Sequence, residues 1–177
     1  AVAAAISYAD KAANAAQITE SIAKPLVEKC LGANRVAVRS AAETLALLLL
    51  EVDEPQSTAV LNALAAGSAN RLAKIARPSL VCMQKALAAF GAQAISASVI
   101  AQALPPIFSS AKDRKVREEA VKTAVELYRW MGDALMPLLD EVRDSQKKEL
   151  EAEFEKLSAA ESPTPTSVLR CLADVAP

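Results

Sequence analysis

Histidine is absent from this 177-residue chain, and glycine (four), cysteine (three) and aromatics (3%) are scarce. Each shortage closes off some chemistry. Without histidine there is no Ser–His–Asp triad, no imidazole base and no His-ligated metal. Cys30, Cys82 and Cys171 are far apart with no CxxC between them, which speaks against a zinc site; isolated cysteines of this kind usually pack as small core residues. The glycines are isolated from one another, so no Gly-rich loop is present to cradle a phosphate. The dearth of aromatic and turn residues argues against a β-sandwich, and collagen is excluded outright. No unbroken apolar run is longer than that of Leu45–Leu50, far below the ~20 residues a membrane helix needs. The N-terminus lacks the charged-then-apolar pattern of a signal peptide and begins without Met, so the chain reads as a piece of a longer one.

What is present is alanine and apolar surface. There are 39 alanines, and hydrophobic residues make up 53% of the chain. Alanine loses almost nothing on entering a helix, and this much apolar surface can support a buried core. The formal net charge of -1 conceals an asymmetry. Residues 55–117 carry eight basic residues and one acidic, whereas 118–177 carry seven basic and thirteen acidic.

The spacing of apolar residues predicts helix after helix, at about 2–12, Ala15–Leu31, 35–51, 55–66, a region from after residue 70 to Phe90-Gly91, 93–109, 112–131, 133–142 and 144–158. Ile18, Ile22, Leu26 and Cys30 make one apolar stripe, as do Val38, Leu45 and Leu49. Gly32-Ala33-Asn34 and Gly67-Ser68-Ala69-Asn70 read as breaks. Asp53-Glu54-Pro55 reads as a helix start, and Pro78 as a kink or a later start near Arg77. Ser162-Pro163-Thr164-Pro165-Thr166 reads as an extended, exposed tail, so that 1–160 forms the domain and 161–177 the tail.

Three segments repeat one plan of apolar helix, short basic loop and second apolar helix. Ala33-Asn34-Arg35 recurs as Ala69-Asn70-Arg71, and Val38-Arg39 as Val116-Arg117. A period near 36–40 with two helices per unit is the signature of an all-α solenoid of HEAT-like helix pairs. Stacking the pairs builds the core and brings the loops to one edge. Those loops hold Arg35 and Arg39, then Arg71 and Lys74, then Lys112, Arg114, Lys115 and Arg117. One such loop would be ordinary solvated surface. Recurrence in three units predicts a row of positive charge for an elongated acidic partner. Arg117 has two readings, a partner contact or a structural arginine paired with an acid of a neighbouring unit. Glu118 and Glu119 suit the first turn of a helix, and Leu150, Phe154 and Leu157 the inward face of a charge-laced one. Trp130, after the stripe Val121, Ala124 and Leu127, is expected largely buried between the last two helix pairs.

The stretch KDRKVREEAVKTAVELYRWMGDALMPLL, followed by KKELEAEFEKL, resembles the fifth repeat and closing helices of a TOG domain. Such domains build the microtubule polymerases of the mini-spindles and colonic-hepatic TOG type. The match is nearest to the first TOG of an array, including the Pro-Thr stretch. The resemblance implies a flat HEAT paddle whose intra-repeat loops bind the αβ-tubulin heterodimer by charge pairing. Arg35, Arg39, Arg71, Lys74, Lys112, Arg114, Lys115 and Arg117 would be the contacts. It implies no enzyme activity, no cofactor and no metal. It also implies a cytoplasmic protein of microtubule ends, spindle and centrosome, and a chain that begins inside the second repeat, without the first repeat's loop Trp.

Residues alone leave two other classes open. One is a HEAT adaptor or scaffold binding a different acidic partner. The other is a solenoid using the basic row on phosphates, against which the sequence pI of ≈ 5.6 argues.

Overall fold

The computed structural model describes residues 15–51, 54–157 and 163–167. The expected helix over 2–12 and the isolated Cys171 lie outside those residues. Helix α1 spans Ala15–Pro25 and widens over Leu26–Leu31 into a π-helical turn. Then come α2 (Val36–Leu50), α3 (Glu54–Ser68), α4 (Ala73–Ala94), α5 (Ala97–Ser110) and α6 (Arg114–Met131). A 3-10 segment over Gly132–Leu139 leads into α7, Asp144–Glu155. No strand occurs among the described residues.

The helices form two layers. α1, α3, α5 and the 3-10 segment stack in one; α2, α4, α6 and α7 stack in the other. Each pair contributes one helix to each layer, which is the solenoid the repeat period predicts. Leu49, Leu50, Leu61, Leu64, Leu80, Leu87, Ile100, Leu104 and Leu127 are fully buried between the layers. Each such side chain contributes roughly 1.5–3 kcal/mol of burial, and none could be covered by its own helix pair alone.

Several boundaries differ from the sequence expectation, each for a local reason. Gly67 does not break α3, which runs on to Ser68. A Cβ there would lie 2.4 Å from Val27 Cγ1 and 2.5 Å from Ser79 Oγ, so this glycine permits close helix approach rather than a turn. Helix α4 starts at Ala73, not near Arg77, and Pro78 sits inside it. The break in α4 falls instead at Gly91, with φ 76 and ψ 164. That backbone region is open mainly to glycine. The expected helix at 133–142 is the tighter 3-10 segment, and α5 begins at Ala97 after a turn at 95–96.

The two late aromatics of α6 part company. Tyr128 stacks on Phe154 of α7, ring centroids 4.1 Å apart and planes 4° from parallel. Trp130 is half-buried, and its expected place between the last two pairs is not where it lies. Its ring turns back onto α4, where a Cβ on Gly91 would be 2.8 Å from Trp130 Cζ3. Its indole N–H donates to Glu126 Oε1 at 3.2 Å, which keeps that edge toward the surface. The aromatic pairing with α7 falls to Tyr128.

Residues 163–167 carry no helix or strand, bend at 166–167, and are tied down. The Ser167 N–H donates to the Ala89 carbonyl at 2.8 Å and the Thr166 N–H to that of Ala88 at 3.4 Å. Pro165 comes to rest over Gly91 beside the indole.

Gly91→Ala should therefore destabilise the fold by about 2–3 kcal/mol, combining left-handed strain with overlap on the indole. Trp130→Ala should cost about 2 kcal/mol, less than a fully buried tryptophan would. Chemical denaturation of the double variant should show a loss smaller than the sum of the two, because the second change removes the overlap made by the first. Strict additivity would mean that indole and glycine do not meet.

Candidate functional site

The three intra-pair loops, residues 32–35, 69–72 and 111–113, emerge at one edge. Each leads into the N-terminus of a second-layer helix, α2, α4 or α6. The first loop packs directly on the first turn of α4: a Cβ on Gly32 would lie 2.8 Å from Ile75 Cγ1 and 3.4 Å from the Lys74 carbonyl. Between the loops run two grooves. One, of about 530 Å³, has Asn34, Arg39, Lys74, Arg77 and Lys115 on its walls. The other, of about 690 Å³, has Asn70, Arg71, Lys112 and Asp113.

Each loop is closed by a different device. In the second, the Leu72 N–H donates to Asn70 Oδ1 at 2.9 Å, a short side-chain turn. In the third, Asp113 caps α6, with Oδ1 accepting from the Lys115 N–H at 2.8 Å and the Val116 N–H at 3.2 Å. In the first, the N-cap is Arg35, which makes no side-chain cap. There Arg39 reaches back and donates to the Ala33 and Asn34 carbonyls at 2.8 and 2.9 Å. Arg117 makes the equivalent bond to the Ala111 carbonyl at 3.2 Å. The repeated Val-Arg of the sequence is thus a repeated loop clasp, six residues from donor to acceptor in both units.

This sorts the eight predicted cations. Arg39 and Arg117 hold their own loops. Arg114 is exposed but ion-paired to Glu118 at 2.7 Å. Arg35, Arg71, Lys74, Lys112 and Lys115 are exposed, and their side chains make no ion pair or hydrogen bond among the described residues. The structure brings all eight to the same edge. Three helix N-termini add their partial positive charges there, each equivalent to roughly half an elementary charge.

The neighbour-pairing arginine is not Arg117 but Arg77, whose terminal nitrogen lies 3.8 Å from Glu119 Oε1 of the next pair. Glu119 is buried rather than merely placed in a first turn. Gln84 donates to Glu119 Oε2 at 3.3 Å and to Thr123 Oγ1 at 3.1 Å, and Lys122 to Glu119 Oε1 at 3.1 Å. Lys85 pairs with Glu43 across α4 and α2.

The charge pattern directed attention away from two residues. Val36 is 68% exposed and Leu72 is 53% exposed, the two large hydrophobic side chains that stand out of the described surface. They follow Ala33-Asn34-Arg35 and Ala69-Asn70-Arg71 at the same register. The repeat alignment contained this signal, since an apolar residue directly after each basic loop has no inward face to occupy. Cys82 is wholly buried, and loss of solvation pushes its thiol up to about 12, with a smaller push from Glu43. It is an inert core residue. Tyr128 is raised from its ordinary value mainly because its hydroxyl donates to Asp133, at 3.0 Å.

Comparison with known proteins places this geometry. The family model for the XMAP215/Dis1/CLASP TOG domain matches residues 1–154. Centrosomal protein 224 of Dictyostelium discoideum is 35% identical over 133 residues, 75% of this chain and 6% of that protein. Protein mini spindles of Drosophila melanogaster is 29% identical over 154 residues, 87% of this chain and 7% of that protein. The spindle pole body component alp14 of Schizosaccharomyces pombe is 33% identical over 144 residues, 81% of this chain and 17% of that protein. The chain thus spans a small fraction of the curated relatives it matches. Among solved structures, one from work on tubulin recruitment and assembly by microtubule polymerases with TOG-domain arrays superposes with a TM-score of 0.74 at 24% identity, covering 90% of this chain and 34% of that one. Drosophila melanogaster Mini spindles TOG3 gives 0.69 at 19%, covering 85% and 64%. The MAST/Orbit N-terminal domain gives 0.65 at 28%, covering 80% and 63%.

Two measurements check the local chemistry. Arg39→Ala and Arg117→Ala should each lower stability by about 0.5–1.5 kcal/mol through the lost loop bonds, whereas Ala at Arg35, Arg71 or Lys112 should leave the melting temperature unchanged. For Cys82 the folded state holds the thiol proton more tightly than the unfolded chain. That contribution is intact below pH 9.0 and is lost as pH rises toward about 12. Stability of the parent should therefore fall relative to Cys82→Ala over that window, read by denaturation at stepped pH.

Proposed function

This chain belongs to the XMAP215/Dis1/CLASP TOG-domain family, and we propose that it is an αβ-tubulin-binding module of a protein that regulates microtubule growth. It acts by binding rather than catalysis, consistent with a sequence devoid of histidine. The observation that carries the reading is the edge itself. Five cations whose side chains have no partner among the described residues, Arg35, Arg71 and Lys112 from the loops and Lys74 and Lys115 from the first helical turns, stand at three helix N-termini, with Val36 and Leu72 between them. A surface of this kind fits a broad, acidic protein face with apolar spots.

The working contacts are Arg35, Arg71, Lys74, Lys112 and Lys115. Arg114 joins them once Glu118 is displaced, and Arg39 and Arg117 hold the loops in shape. Val36 and Leu72 add apolar contact at the same register. The TOG unit runs to about residue 160, with 161–177 as its tail. The resemblance of 112–157 to the first domain of an array belongs to the same reading. So does a place at microtubule ends, spindle and centrosome, supported by relatives that include a centrosomal protein and a spindle pole body component.

Single Ala changes at Arg35, Lys74 or Lys112 should each weaken tubulin binding by only about 0.2–1 kcal/mol, the range of solvated ion pairs. The triple change should weaken it at least tenfold, about 1.4 kcal/mol or more. The parent should lose affinity steeply with salt, since these attractions are screened over ~8 Å at physiological ionic strength. Analytical ultracentrifugation of the chain with purified αβ-tubulin reads both effects. A triple variant that binds like the parent at low salt, with its melting temperature intact, would transfer the edge to a different acidic partner.

A further inference from the structure

The loop edge leaves one sequence feature unused. Ser162-Pro163 and Thr164-Pro165 are consecutive hydroxyl-proline steps. The second lies on the docked strap formed by residues 163–167, at the end of α4 remote from the basic loops. We propose that Thr164 is a phosphorylation site for a proline-directed kinase, and that the phosphate releases the strap from α4.

The backbone is suited to the modification. Pro163 and Pro165 fix their own φ near −65°, and a residue before proline is driven to extended geometry. Thr164 is exposed and lies in a segment with no regular structure, open to a kinase. In the transfer, Thr164 Oγ1 attacks the γ-phosphorus of ATP. A new O–P bond forms, the bond to ADP breaks, and the hydroxyl proton passes to the kinase's base.

What holds the strap is a set of acceptors that phosphate would oppose. The α4 backbone turns out of the helix at Gly91, so the carbonyls of Ala88 and Ala89 lie in the final turn before the break. The Thr166 and Ser167 N–H groups and the Thr166 hydroxyl take those two carbonyls, at 3.4, 2.8 and 3.3 Å. This is the negative end of a helix dipole. Thr164 is two residues from Thr166, within about 7 Å along the chain. A phosphate dianion there faces like-signed partial charge, an arrangement that disrupts rather than docks. Releasing the strap also lifts Pro165 from Gly91, uncovering the face against which Trp130 packs. The straight part of α4 separates this site from the loop edge by about 25 Å, so the two surfaces can be tested independently.

Trp130 is the chain's single tryptophan and reports on the strap directly. The Ser162→Ala chain, which removes the neighbouring acceptor, is incubated with ATP and a purified cyclin-dependent kinase and mapped by mass spectrometry. The expected result is one phosphate on Thr164, at least tenfold faster amide exchange at Ser167, and Trp130 emission moved to longer wavelength. Thr164→Ala in the same background should keep the parent exchange rate and emission with or without kinase. The proposal is overturned if Thr164 stays unmodified while a Thr-Pro control peptide is fully converted. It is equally overturned if the phosphorylated chain keeps the parent exchange rate at Ser167.

Discussion

The seam between α4 and α6 governs the rest of the molecule. Near the loop edge it is fixed by the buried carboxylate of Glu119, held by Gln84, Lys122 and, more distantly, Arg77. At the far end it is fixed by Trp130 resting on Gly91. Burying a carboxylate costs several kcal/mol unless its partners are in place. A slip of one helical turn, 5.4 Å, would strand Glu119 and drive the indole into a helix that carries side chains. The seam therefore has one register. That register sets the relative height of the second and third loops, and with it the spacing of Lys74 from Lys112 and Lys115.

The edge separates two kinds of positive charge that look alike in composition. Some arginines spend their donors on backbone carbonyls or acids of this chain. Others have no partner among the described residues and keep their donors for something outside. The division follows from helix geometry. A long side chain at the fourth position of a helix can fold back over the loop before it, as Arg39 and Arg117 do. Those in the loop itself, such as Arg35 or Lys112, make no such bond among the described residues. The clasped arginines thus stiffen the platform on which the unclasped ones stand.

Much of this was legible in the sequence. The helix-pair period gave the two layers and the common edge, and the all-α architecture with its basic loops stands as read. Roles were harder to see than positions. Gly67 and Gly91 look equally like breaks in sequence. One is a contact point between helices and the other a true left-handed turn, a difference that exists only once neighbours are present. Glu119 looks like a first-turn acid until α4 brings Gln84 across from it. Val36 and Leu72 were obscured because apolar residues in an Ala-rich helical chain are expected to point inward. Their exposure depends on which residue of each loop begins the helix, the boundary that patterns fix least well.

The strap changes how the domain would bear load. Its hydrogen bonds attach the chain near residue 167 to α4, two helix pairs' worth of sequence upstream, rather than leaving it to trail from α7. Tension applied beyond that point would meet the strap before it reached the closing helix. The pull would enter the stack through its second-layer centre, where α4 is gripped on both sides by α2 and α6. Packed helices resist sliding along their shared length far better than a terminal helix resists being peeled away. The docked strap thus makes a helix at the centre of the second layer, not its most peripheral one, the first to feel a force.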